Sequence, residues 1–320
     1  MRPLGYSLVC GVALVLASAA ALAQTPAGQN LLWAFPVASA VVNKPPSPLI
    51  KGPQRISGST QRYTQEQLDR VDMAVDWFPK SHAPMPAIVR DGARDGGWAC
   101  GSCHLANGMG HPESADLTGL SPTYFMKTMG ELRSGARKDP IRMTAIAKAL
   151  SVQDLRQAAA YFATLKPVPH WTKVVETNSV PKTYLGPGRM RFIDPAGGRE
   201  PIGDRIITVP QNVLKARARD PRSGFIAYVP PGSLQRGKAL ARGAGGTLPS
   251  CASCHGAGLK GKGAAPMIAG QHPIYLARQL YDFKTGARNG PDAQLMKPIA
   301  AALNDKDIIA LSAYVASLRR

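Results

Sequence analysis

CASCHGAGLKGKGAAPMIAGQHPIYLARQLYDFKTGAR, residues 251–288, decides the fold, because its two ends recur together earlier in the chain. Its head, Cys251-Ala-Ser-Cys254-His255, reappears 151 residues earlier as Cys100-Gly-Ser-Cys103-His104. Its tail, GQHPIYLARQLYDFKTGAR (270–288), aligns without gaps on GLSPTYFMKTMGELRSGAR (119–137) at the same offset. Further on, MTAIAKAL from Met143 matches MKPIAAAL from Met296 after a two-residue insertion. Both stretches then close in a similar helix, expected over Asp154 to Leu165 and Asp307 to Leu318. In the first of these, Leu155, Ala158, Ala159 and Phe162 recur at helical spacing and need a core to pack on. Head, tail and closing helix together define a duplicated unit of about 80 to 90 residues.

C-x-x-C-H is the attachment pattern of c-type haem: two cysteines three apart can form thioethers to the vinyl groups, and the adjacent imidazole falls on the iron. Four of the five cysteines lie in the two motifs, and the fifth, Cys10, sits in the N-terminal apolar segment. Zinc is the rival reading of paired C-x-x-C, but one four-cysteine site would leave both trailing histidines unexplained. A thioredoxin-like redox pair leaves them unexplained as well. The motifs therefore predict two covalently bound haem c groups, held by Cys100, Cys103 and His104, and by Cys251, Cys254 and His255. For the sixth iron ligand the repeat supplies a test, since the same geometry must recur. Met143 and Met296 follow their histidines by 39 and 41 residues and open matching segments. Met109 and Met267 have no counterpart, and Met73, Met85, Met126, Met129 and Met190 read as packing residues. His111, seven residues after His104, is a rival ligand to Met143 and reads more simply as a loop residue. Thioether ligation favours ferrous iron and raises the potential. Pro266, eleven residues after His255, offers a carbonyl to the histidine Nδ1 proton, with Ala115 as its counterpart. Tyr124 and Tyr275, with Arg137 and Arg288, stand at equivalent positions and either hold haem propionates or pack the helix.

The fold class expected is mainly α, with two tandem class I cytochrome c domains at 84–166 and 231–320. An N-terminal extension, 24–83, contains the proline-rich run from Lys44 and one helix opened by the capping box Thr64-x-x-Gln67 and stopped at Pro79. An irregular, β-containing inter-domain segment, 167–230, has short β-like runs at Arg205–Val209 and Phe225–Val229. It is too long for a plain tether and is expected to pack between or over the two domains. In the second domain, helices are expected from Ser233 through Leu240, from Pro273 to about Lys284, and from Met296 to Ala302, before Asn304 caps the last. Residues 1–23 read as a secretory signal peptide, with Arg2, an apolar stretch from Leu8 to Ala21, and Ala21-Leu22-Ala23 before the cleavage point. Export to a bacterial periplasm follows. The formal charge of +19 reads either as a solubility feature or as steering toward acidic redox partner proteins or an anionic membrane surface. Export and the lack of a recognition motif exclude nucleic acid.

CGSCH, CASCH, YLARQLYDFKTGARN and LMKPIAAALNDKDIIALSAYVASL, with their first-copy counterparts, resemble the di-haem cytochromes c of the c-four type. The resemblance implies a periplasmic electron carrier and not an enzyme. It would take electrons from a dehydrogenase or cytochrome bc complex and pass them to a terminal oxidase or reductase. Two alternatives stand beside it. One is a di-haem cytochrome c peroxidase, which needs one haem open to peroxide. The other is the cytochrome c subunit of a membrane dehydrogenase.

Overall fold

The computed structural model describes residues 31–36, 40–42, 51–93, 97–169, 171–243 and 248–320. The signal peptide expected at 1–23, Cys10, the run from Lys44 and His170 lie outside the described residues.

The N-terminal extension holds one short helix, α1 (Gln65–Asp69). Thr64 and Gln67 form the expected capping box, but the helix ends at Arg70 and not at Pro79. Aromatic anchoring overrides local propensity here. Trp77 is buried, Tyr63 packs edge-on against it at 4.8 Å, and its indole N–H donates to the carbonyl of Ala218 (2.6 Å). A helix continued to Pro79 would carry the indole away from that carbonyl.

The first helical set comprises α2 (Ala87–Arg90), α3 (Cys100–His104), α4 (Pro122–Ser134), α5 (Met143–Ala149) and α6 (Val152–Thr164). Ser121 caps α4 and Gly135 stops it in the left-handed conformation. Ser151 and Asp154 form a capping box on α6. The core between these helices holds Phe125, Met129, Leu132, Leu155 and Phe162, with Met85 also buried.

The segment after α6 is structured. It runs β1 (Thr172–Glu176), β2 (Ser179–Pro181), β3 (Thr183–Leu185), β4 (Arg191–Ile193), β5 (Arg199–Pro201), β6 (Ile207–Pro210), α7 (Val213–Arg217) and β7 (Phe225–Val229). β7 is central in a three-stranded sheet, parallel to β1 (Thr172 opposite Phe225) and antiparallel to β6 (Ile207 opposite Tyr228). β2 pairs with β5 and β3 with β4, both antiparallel. Of the two expected strands, Phe225–Val229 forms as read; the other starts two residues later and ends one later, because Arg205 turns back to donate to the carbonyls of Ile202 (2.8 Å) and Pro201 (2.5 Å).

The second helical set comprises α8 (Ser233–Ala241), α9 (Cys251–His255), α10 (Pro273–Thr285), α11 (Ala293–Ala301) and α12 (Asp305–Ser317). α11 starts three residues before Met296, because the Gly290–Ala293 turn already sets helical backbone at Asp292. Asn304 and Asp307 form the capping box on α12. α12 packs on α8 and α10, and on β1 and β7. The sheet residues Val180, Ile207, Val209 and Ala227 thus share one core with Ile274, Ile308 and Ile309. Residues Leu31–Arg320 form a single compact unit. No helix among the described residues is long and apolar enough to cross a membrane.

Candidate metal centres

Both C-x-x-C-H motifs wind into one turn of helix, α3 and α9, and none of their four cysteines is in a disulfide. The next residue turns the chain out of the helix through positive φ, at Leu105 (φ 61°, ψ 159°) and Gly256 (φ 76°, ψ 174°). That turn brings each histidine against a carbonyl eleven residues on. His104 Nδ1 donates to Ala115 (2.7 Å) and His255 Nδ1 donates to Pro266 (2.9 Å). A carbonyl can only accept, so the proton sits on Nδ1 and the lone pair is left on Nε2. Burial holds both imidazoles below the ordinary histidine range, opposed by that hydrogen bond. A neutral imidazole with Nε2 free, beside two thiols on one helical turn, fits covalent haem c.

Met143 is the first residue of α5 and Met296 lies in the first turn of α11. Both are partly buried, Met143 against the first helical core and Met296 against Phe283, Ala293 and Ala300. Met109 is spoken for: it is fully buried and its sulfur accepts from the Val168 N–H (3.2 Å). His111 packs edge-on against Phe225 (6.4 Å); burial, with Arg219 nearby, pushes its imidazole down to about 3. His272 is buried in the same aromatic cluster. It donates from Nε2 to the Met109 carbonyl (3.0 Å), and burial pushes it down to about 4.

Tyr124, Arg137, Tyr275 and Arg288 join the two helical sets by reciprocal exchange. Arg137 donates to Tyr275 Oη (3.3 Å) and Arg288 donates to Tyr124 Oη (2.9 Å). Gln279 Oε1 accepts from both guanidinium groups (2.8 and 3.0 Å). Between them the backbone forms an antiparallel bridge, with Lys138 N–H on Ala287 (2.8 Å) and Asn289 N–H on Ala136 (2.6 Å). Beside this crossing, burial raises the Asp282 carboxyl to about 6 although Arg137, Arg278 and Arg288 pull it down. A second tie joins Arg320 to Asp116, both almost wholly buried, with Arg320 also donating to Thr118 Oγ1 (2.9 Å).

The two motif helices differ in cover. In α3, Gly101, Ser102 and His104 are buried; in α9 no residue is. The N-terminal extension lies over α3 so closely that a Cβ on Gly101 would stand 2.6 Å from Ala74 Cβ. Arg219, in the loop after α7, donates to the carbonyl of Ser102. Leu105 joins Met109, Trp171 and Phe225 in a cluster of its own. Reading the sequence did not single out Trp77, Arg219 or the Asp116–Arg320 tie. A signal was present in the repeat, where Gly101 stands opposite Ala252 and Leu105 opposite Gly256.

A family model described as cytochrome c matches residues 234–319. The chain is 30% identical over 224 residues to cytochrome c4 of Pseudomonas aeruginosa, covering 68% of this chain and 83% of that protein. Against cytochrome c4 of Azotobacter vinelandii it is 30% identical over 232 residues, 68% of this chain and 84% of the other. A thiosulfate dehydrogenase electron acceptor of Stutzerimonas stutzeri is 28% identical over 233 residues, 72% of this chain and 83% of that one. Sequence and motif geometry thus converge on one class, the c-type cytochromes. Within it the chain belongs to the cytochrome c4 family of di-haem class I cytochromes c.

Proposed function

We propose that this chain is a periplasmic di-haem cytochrome that carries single electrons between respiratory redox partners and does no substrate chemistry of its own. In this reading 84–166 and 231–320 are tandem class I cytochrome c domains, each with one covalently bound haem c. The observation that carries it is the duplicated imidazole: His104 on Ala115 and His255 on Pro266, each with Nε2 unspent. When bound, each haem supplies a one-electron iron couple. Cys100, Cys103, Cys251 and Cys254 would tether it, the two carbonyls fix the tautomer and ring plane of its histidine, and Met143 and Met296 would offer it thioether sulfur. A thioether offered by each copy would leave no open iron for peroxide, which favours a carrier over a peroxidase.

The relatives named as cytochrome c4 support a carrier, and those named as electron acceptors of thiosulfate dehydrogenase support a dehydrogenase as donor. A cytochrome bc complex is the other donor, and a terminal oxidase or reductase the acceptor. The charge of +19 suits acidic faces on these partners. Optical spectra of the oxidised and reduced protein test the reading. A methionine–iron charge-transfer band accounting for two haems is expected, with no high-spin signal and no peroxide turnover. Met143→Ala and Met296→Ala should each remove about half of that band. No loss would refute the ligand assignment, and one high-spin or bis-histidine centre would favour the peroxidase.

A further inference from the structure

We propose that the chain exchanges electrons with its partners through one port, the exposed face of α9, and that the partner's docking face is that of an acidic redox protein. The inference rests on the di-haem reading above and adds to it the place and sign of the docking surface.

The first observation is the unequal cover of two equivalent helices. Ala252 and Ser253 are exposed, whereas the residues at the same repeat positions, Gly101 and Ser102, are buried. The cover on α3 is built by this chain itself, from Ala74 and Val89 over Gly101 and from Arg219 on the Ser102 carbonyl. Electron exchange between proteins needs close approach, and a covered motif helix denies it to a partner on that side. The α9 side is the motif helix left open to a partner.

The second observation is charge. From Pro221 to Tyr281 the sequence holds seven Lys and Arg and no Asp or Glu. Three of the seven are matched, Arg222 by Asp220, Arg236 by Asp307 and Arg278 by Glu113. Lys238, Arg242, Lys260 and Lys262 are exposed and form no ion pair among the described residues. They flank α9. Ser250, immediately before the helix, hydrogen-bonds Ala241 beside Arg242 (3.3 Å), and at its other end the Gly261 N–H donates to His255 O (2.8 Å), bringing Lys260 and Lys262 alongside. A bare motif helix between unmatched cations is complementary to a partner whose own redox edge is ringed by carboxylates.

The test uses the holoprotein, with its haem content measured first; fewer than two haems per chain refutes the reading beneath this inference and is seen before docking is probed. Hexacyanochromate(III), a redox-inert paramagnetic anion, is titrated into the reduced protein and amide line broadening is mapped by NMR. Broadening centred on residues 250–262 is expected, abolished by Lys260→Glu/Lys262→Glu and kept in the control Lys148→Glu/Lys166→Glu. In stopped flow at low ionic strength, the first double variant should be reduced by hexacyanoferrate(II) about tenfold more slowly, with the cationic hexaammineruthenium(II) faster. Broadening at residues 100–104, or spread evenly over all basic surface, would overturn the single port. Sedimentation with phosphatidylglycerol vesicles at 0.15 M salt, lost in Lys260→Glu/Lys262→Glu, would overturn the protein partner in favour of a membrane surface.

Discussion

Gly101 and Ala252 hold the same place in two copies of one motif, and their difference is one methyl group. Where α9 meets solvent, alanine is the better helix former. Where the N-terminal extension crosses α3, that methyl would stand 2.6 Å from Ala74 Cβ and 3.0 Å from the Val89 carbonyl. Gly101→Ala should therefore cost about 1–3 kcal/mol in denaturant unfolding, while Ala252→Gly costs only about 1 kcal/mol. Equal effects would show that the extension does not press on α3. Leu105 departs from its counterpart in the opposite sense. It accepts a backbone conformation proper to glycine, a cost of order 1–3 kcal/mol, and sets its side chain among Met109, Trp171 and Phe225. Asp282 provides a pH signature. Its folded pKa of about 6 lies above the ordinary carboxylate value of 3.8, because burial outweighs the arginines. The unfolded chain thus releases this proton first, and the contribution is fully present below about pH 4 and lost as pH rises through about 6. Unfolding midpoints measured across that window should fall more steeply for the wild type than for Asp282→Asn.

At the scale of elements, α4 and α10 are joined by the reciprocal Arg–Tyr exchange. Removing one buried partner strands the other, so Arg137→Ala should cost about 2 kcal/mol. The double-mutant cycle with Tyr275→Phe should return a coupling of about 0.5–3 kcal/mol, and additive costs would deny the contact. These elements also show what a sequence can disclose. Capping boxes are local chemistry, so Thr64–Gln67 and Asn304–Asp307 were legible and both form. So was the carbonyl for each motif histidine, because eleven residues in a tight loop is a short-range constraint. The end of α1 at Arg70 was not legible, since it is set by Ala218, 141 residues from Trp77. The partners of Arg137 and Arg288 lay open between two roles for the same reason: repeat positions mark residues as equivalent without saying whether the copies face one another.

Residues Leu31–Arg320 behave as one body in their contacts, because the sheet of β1, β7 and β6 shares a core with the second helical set while Phe225 reaches the first. Differential scanning calorimetry of the holoprotein should give a single transition with matching calorimetric and van't Hoff enthalpies. Two resolved transitions would show that the helical sets unfold separately. The Arg–Tyr crossing carries one more consequence. A residue of one copy that meets its partner type in the other, and is met in return, is the signature of an isologous two-fold interface. Such an interface between free subunits would depend on their concentration, and each substitution would enter it twice. Here both faces lie on one polypeptide, so dilution cannot part them and each face can drift alone. Gln279 already takes both guanidinium groups where the first copy offers only Thr128. Covalent linkage is what frees one half to be buried while the other stays open.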